Sequence, residues 1–268
     1  MISNFRTGKV PVLTYHSQNI AGNDYASNNR YALASDLQSI ADAGMRVLAL
    51  SDLIDWVTGK RPALFARNAV VLTCDDAPKF DFDNVPYRDY GLQESFRSIV
   101  QRHKAHITCF AIASPEARAR IGADALDDAE LMTDAWWAEA DHSDWASIEN
   151  HGWDHCHPAV GGPGSFFGVA DYETCRQQVQ IAADSIARVT GRRPALFAYP
   201  FGESSDYLRD TYLPDFTAEH GMRAAVSTDP EYAERDGNRW NIPRFICGRD
   251  WSSPDEFRTI LLAAKRSW

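Results

Sequence analysis

The sequence predicts an α/β fold, a distorted (β/α) barrel of about seven to eight strands. Three observations predict it. Short apolar runs alternate with amphipathic stretches along the whole chain, the pattern of a mainly parallel sheet. The runs have strand length and are bounded by turn residues, whereas the stretches between them have helix length. Several runs also end on a histidine or an aspartate, and βα-barrels carry their chemistry at the C-terminal ends of their strands.

The runs are residues 10–15, 45–50, 69–73, 107–112, 146–149, 195–199, 223–226 and 242–247. Eight strands interleaved with helices favour a closed or partly closed barrel over an open doubly wound sheet. Two helix starts read as capping boxes, Ser35-Asp36-Leu37-Gln38 and Ser253-Pro254-Asp255-Glu256, the second with proline at the first helical position. A helix over 171–190 is expected to stop at Gly191. Residues 114–144 form an acidic, tryptophan-containing excursion, rich in loop, with a helix expected around 131–140. Gly161-Gly162-Pro163-Gly164 reads as a loop on the rim of a site. A near-repeat, Thr58–Ala66 against Thr190–Ala198, follows a helix both times. It reads as one helix-to-strand exit used twice and not as duplication.

Composition narrows the function. With 268 residues, 44% of them hydrophobic, the chain can bury a continuous core, and one catalytic domain over 1–268 is expected. A net charge of −10 argues against nucleic acid or an anionic membrane surface as partner. Five cysteines without paired spacing argue against a disulfide framework. Met1–Thr7 lacks the apolar stretch of an export signal, and no run reaches membrane-spanning length, so a cytoplasmic protein is expected.

The chemistry gathers at strand ends. Asp75 and Asp76 follow the apolar run 69–73. Side chains alternate along extended backbone, so two adjacent carboxylates point the same way only across a bend. One can then hold a metal while the other faces a water. His151 and His155 stand four residues apart after the run 146–149, and a helical turn there would set both rings on one face. Two imidazoles and a carboxylate with an open position make a hydrolytic metal site. His157 is a less well placed ligand. His16, closing the first run, sits where a histidine can protonate a leaving group.

These residues resemble the polysaccharide deacetylase superfamily, the NodB-homology group of carbohydrate esterase family four. Thr73-Cys74-Asp75-Asp76-Ala77 is similar to its Thr-Phe-Asp-Asp-Gly motif. His151-Gly152-Trp153-Asp154-His155 is similar to its His-Ser/Thr-x-x-His motif, and Ala198-Tyr199-Pro200-Phe201-Gly202 to its Pro-Tyr-Gly turn. The last strand lacks the usual histidine, and an N-terminal strand ending in Tyr15-His16 instead resembles the permuted poly-β-1,6-N-acetylglucosamine deacetylase branch. Cys74 and Ala77 depart from the motif phenylalanine and glycine, and Ala198 stands where many members have the arginine that orients the base.

The resemblance implies a metal-dependent N-deacetylase acting on an amino sugar in a glycan or glycan precursor. Asp76, His151 and His155 would hold the metal, Asp75 would be the base and His16 the acid. The Phe201 N–H would stabilise the oxyanion, and Tyr199, Trp153 and Phe201 are candidates for the sugar platform. Arg244 or Arg249 would orient the base. Zinc is the leading metal for such a donor set, with cobalt, nickel, manganese or iron as rivals. The competing functions are a hydrolase of another C–N substrate (a formamide or cyclic amide) and an inactive carbohydrate-binding barrel.

Overall fold

A computed structural model describes residues 8–268; the stretch Met1–Thr7, read above for an export signal, lies outside them. The main sheet holds eight strands: β1 (Val12–Tyr15), β2 (Arg46–Leu48), β3 (Ala69–Asp76), β4 (Ile107–Ala111), β5 (Ala146–Asn150), β6 (Leu196–Ala198), β7 (Ala224–Val226) and β8 (Phe245–Ile246). They run in the order β7-β6-β5-β4-β3-β1-β8, with β2 beside the first residues of β3, and every pair is parallel. All eight expected strands are present.

The sheet curls until its edges nearly meet. Ile242 bridges Val226, with hydrogen bonds from Ser227 N to Ile242 O (2.8 Å) and from Ile242 N to Ala225 O (2.9 Å). Three residues further on, Phe245 pairs with Leu13 on β1. One short segment therefore spans the gap between the two edges.

Alternation along β3 sets what faces where. Val70, Leu72 and Cys74 join the cluster that packs against α1 (Asn29–Asp42), α3 (Phe96–Arg102) and α7 (Pro254–Arg266). Val71 belongs to a second cluster with Phe110, Ala198, Val226 and α2 (Leu50–Val57). Burying these faces supplies the main drive to fold, roughly 1.5–3 kcal/mol for each large apolar side chain. Thr73 and Asp75 share the parity of Val71, which sends a carboxylate into the barrel.

Three local expectations are corrected. The first capping box does not form, because α1 starts earlier, at N-cap Asn28, and Asp36 lies buried within it. The second cap does form: Ser253 Oγ accepts from Glu256 N, while the Glu256 carboxylate returns to Ser252. In the excursion, the helix expected around 131–140 is split into a 3₁₀ turn (Ala129–Met132) and α5 (Trp137–Asp141), and α4 (Pro115–Leu126) precedes them. The helix expected over 171–190 is capped by Asp171 and stops at Gly191, but its middle, Arg176–Ile181, is π-helical. No helix among the described residues is long and apolar enough to cross a membrane.

Candidate active site

Asp75 ends its side-chain run inside the barrel, where Arg244 meets it. Nη1 and Nη2 donate to the two carboxylate oxygens at 2.8 and 2.9 Å, and both residues are buried. Arg244 is itself held by Ser227 O (2.8 Å) and Thr73 Oγ1 (3.2 Å) and lies over the Phe110 ring. Burial alone would raise the Asp75 pKa. Attraction to Arg244, His151 and His16 more than reverses this and holds the carboxyl well below the usual carboxylate range. Sequence reasoning offered two arginines for this task. Arg249 is corrected: its side chain is half exposed, pairs with Asp250 and donates to Thr228 O.

The bend required between the two aspartates is present. Asp76 and Ala77 have φ of 76° and 49°, left-handed backbone that ends strand alternation and turns the Asp76 carboxylate toward β5. There Asp76 Oδ1 lies 3.6 Å from His151 Nε2 and 3.7 Å from His155 Nε2. Donors about 2.0–2.1 Å from a tetrahedral ion stand about 3.3 Å apart; the two Asp76 contacts are close to this, and all three atoms lie within 4.8 Å of one another. His151 Nδ1 lies 2.9 Å from Ala198 O, which fixes the tautomer and leaves Nε2 as a free lone pair. Burial, opposed by the Asp75 charge, lowers both histidine pKa values to about 4, so both rings are neutral at pH 7 as ligands must be. The buried His155 Nδ1 has no partner among the described residues. The donor set fits a divalent metal.

The helical turn expected to align the two histidines is corrected. Residues 151–157 form an irregular loop, with Gly152 at φ 85° and His155 at φ 59°. The loop is clamped by Gln178, whose Oε1 accepts from Trp153 N (2.8 Å) and whose Nε2 donates to Asp154 Oδ1 (2.8 Å). Gln178 sits in the π-helical segment, an irregularity often found at functional sites.

The polysaccharide deacetylase family model matches residues 64–224. The chain belongs to the polysaccharide deacetylase family. No curated protein matches the sequence. Among solved structures, IcaB from Ammonifex degensii aligns with a TM-score of 0.66 at 14% identity, covering 96% of this chain and 97% of that one. The Streptococcus pyogenes deacetylase PplD in complex with acetate aligns with a TM-score of 0.67 at 18% identity, covering 95% and 99%. A de-N-acetylase from Aggregatibacter actinomycetemcomitans gives 0.66 at 17%, covering 93% and 99%. These similarities show a shared fold.

His16 follows Tyr15, which pairs with Cys74, so register sets it beside Asp75; its buried Nδ1 has no partner among the described residues. Phe201, at φ 58°, is 43% exposed and packs edge-on against His155, with ring centroids 4.3 Å apart. The following Gly202 is required, since a Cβ there would fall 1.9 Å from Thr228 Oγ1. Tyr199 as a sugar platform is corrected: its ring is buried and its hydroxyl donates to Trp240 O at 2.6 Å. Trp153 is half-buried against the main core cluster. His157 stays outside the ligand set; its Nδ1 accepts from Ala159 N and caps a 3₁₀ turn.

Sequence reasoning missed Gln18, whose Nε2 donates to Asp76 Oδ2 at 2.5 Å, and Gln178. Gln18 had a faint signal, two residues after His16. For Gln178 there was none, because its role exists only once the long helix docks.

Proposed function

We propose that this chain is a metal-dependent N-deacetylase that hydrolyses the amide of an acylated amino sugar in a glycan or glycan precursor. The observation that carries the reading is the convergence of Asp76, His151 and His155 beside an Asp75 clamped by Arg244. Asp76, His151 and His155 would hold the ion, with zinc the leading choice. When bound, such an ion supplies Lewis acidity and lowers the pKa of a water to about 7.

The chain's own residues divide the remaining work. Asp75, kept ionised by Arg244, accepts the proton of the attacking water. The Phe201 N–H donates to the oxygen on which charge develops, a contact of the kind whose loss costs about 3–4 kcal/mol. His16, on the neighbouring strand, delivers a proton to the departing nitrogen, which leaves as an amine and not as an amide anion. The retained base distinguishes this reading from an inactive sugar-binding barrel, which needs no such group. Residues 1–268 act as one catalytic unit on this reading. The five unpaired thiols support a reducing, cytoplasmic address.

The test combines metal analysis with product detection. Chelator-treated protein should release no acetate from N-acetylglucosamine oligomers, and added Zn²⁺ should restore release. Asp76→Ala should lose both bound metal and activity. Full metal retention in Asp76→Ala, or acetate release that ignores the chelator, would overturn the proposal.

A further inference from the structure

We propose that Gln18 is a positioning residue that aims Asp76 at the cation site, and that a neutral amide is needed for this task. The proposal rests on the hydrolase reading above and adds a residue that lies outside all three sequence motifs. Gln18 Nε2 donates to Asp76 Oδ2 at 2.5 Å, while Asp76 Oδ1 faces His151 Nε2 and His155 Nε2 at 3.6 and 3.7 Å. The two carboxylate oxygens therefore have separate partners. One is tied to the turn after β1, and the other is left for an ion.

The Gln18 amide has one workable orientation. Turned over, it would set a carbonyl oxygen against a carboxylate oxygen, and two acceptors repel. Its Oε1 is buried and accepts from nothing among the described residues. A buried acceptor without a donor works against folding, so it is the bond to Asp76 that places this side chain. The backbone beneath it is fixed. Asn19 N donates to His16 O (3.0 Å), closing a turn, while His16 N donates to Asn29 Oδ1 (2.8 Å) and Asn29 N to Asn19 O (3.2 Å). The turn is thus anchored to the end of β1 on one side and to the start of α1 on the other. Partners that hold a ligand's unused atom in this way fix its direction and tune its affinity.

Charge separates the two neighbouring aspartates. Asp75 pairs with the Arg244 guanidinium, whereas among the described residues Asp76 pairs with no lysine or arginine. A cationic partner neutralises a carboxylate and repels a second cation at its other oxygen. An amide donor fixes the carboxylate and leaves its charge for the ion. The guanidinium therefore marks the base, and the amide marks the ligand.

The test measures Zn²⁺ affinity, by competition with a chromophoric chelator, in native protein, Gln18→Met and Gln18→Lys. Loss of a partner of this kind weakens metal binding by about 10- to 100-fold, the effect expected for Gln18→Met. Gln18→Lys keeps a donor but adds a charge, and should bind more weakly still. The Asp76 side chain is 21% exposed, so water can replace the lost bond in the metal-free state, and all three proteins should melt alike without metal. Acetate release by Gln18→Met should fall at limiting Zn²⁺ and recover at excess. Equal affinity in native protein and Gln18→Met, or Gln18→Lys binding more tightly than Gln18→Met, would overturn the proposal and leave the hydrolase reading standing. A collapse of metal-free stability in both variants would make Gln18 a structural residue and overturn it as well. Native protein that binds no Zn²⁺ would sink both readings.

Discussion

Asp75 and Asp36 are both buried aspartates, 4% and 0% exposed, and their surroundings drive them in opposite directions. Asp75 meets a guanidinium and stays ionised. Asp36 accepts three hydrogen bonds from neutral donors, Tyr15 Oη at 2.9 Å, Tyr25 Oη at 2.5 Å and Trp251 Nε1 at 3.1 Å. Burial nevertheless pushes its pKa up to about 7, because these bonds only partly offset the desolvation. At Asp75 the facing guanidinium more than offsets the desolvation, whereas at Asp36 three bonds from neutral donors offset only part of it. The backbones differ as well. Asp36 sits in a regular helix, whereas Asp75 leads into two left-handed residues, Asp76 and Ala77. Charge and irregular backbone are concentrated where chemistry is proposed.

The strongest way to break this comparison is to remove one charge. Asp75→Asn should lower turnover by about 10²- to 10⁴-fold, the usual weight of a general base, while bound metal measured by atomic absorption stays stoichiometric. Turnover within a few-fold of native would refute the role. Arg244→Met should leave Asp75 unpaired in the barrel, destabilising the fold by about 3–5 kcal/mol in urea titration. The acid limb of its pH–rate profile should move to higher pH, as the carboxyl regains basicity.

A smaller effect is expected at Asp36. Its folded pKa is raised, so the folded state binds the extra proton between about pH 4 and pH 7, and the stability tied to that proton is lost as pH rises through about 7. Native protein should therefore weaken against Asp36→Asn over this range by about 1–3 kcal/mol, read from parallel melts. A constant difference would show that the neutral donors do sustain the charge. The smallest effect tests the backbone. Ala77→Gly relieves a left-handed alanine but loses a buried methyl and adds unfolded-chain entropy, so stability should shift by under about 1 kcal/mol, with activity within two-fold.

Much of the candidate site was legible because each of its residues lies at the end of an apolar run and so at one end of the barrel. Strand ends, spacing and the family resemblance together pointed to Asp75, Asp76, His151 and His155 as one site. The means of their alignment was not legible. The histidine spacing suggested a helical turn, yet the chain uses a loop held by Gln178 from a helix more than twenty residues away. Choosing Arg244 over Arg249 required knowing that β8 pairs with β1, which carries one arginine inward and leaves the other at the surface. Tyr199 was a candidate for the sugar platform along with Trp153 and Phe201, but its ring is fully buried.

The pentapeptide Pro-Ala-Leu-Phe-Ala, which occurs twice, shows where local information ends. In Pro62–Ala66 it forms a 3₁₀ turn with Leu64 exposed, whereas in Pro194–Ala198 it forms β6, buried between β5 and β7. Period, turn residues and motif chemistry by themselves determined the α/β class and the eight strands and picked out the candidate metal-holding residues, because those depend on local pattern. Tertiary structure alone decided which copy became a strand, which arginine meets Asp75 and which amide meets Asp76. Those outcomes depend on backbone hydrogen bonds, desolvation and packing supplied by distant neighbours.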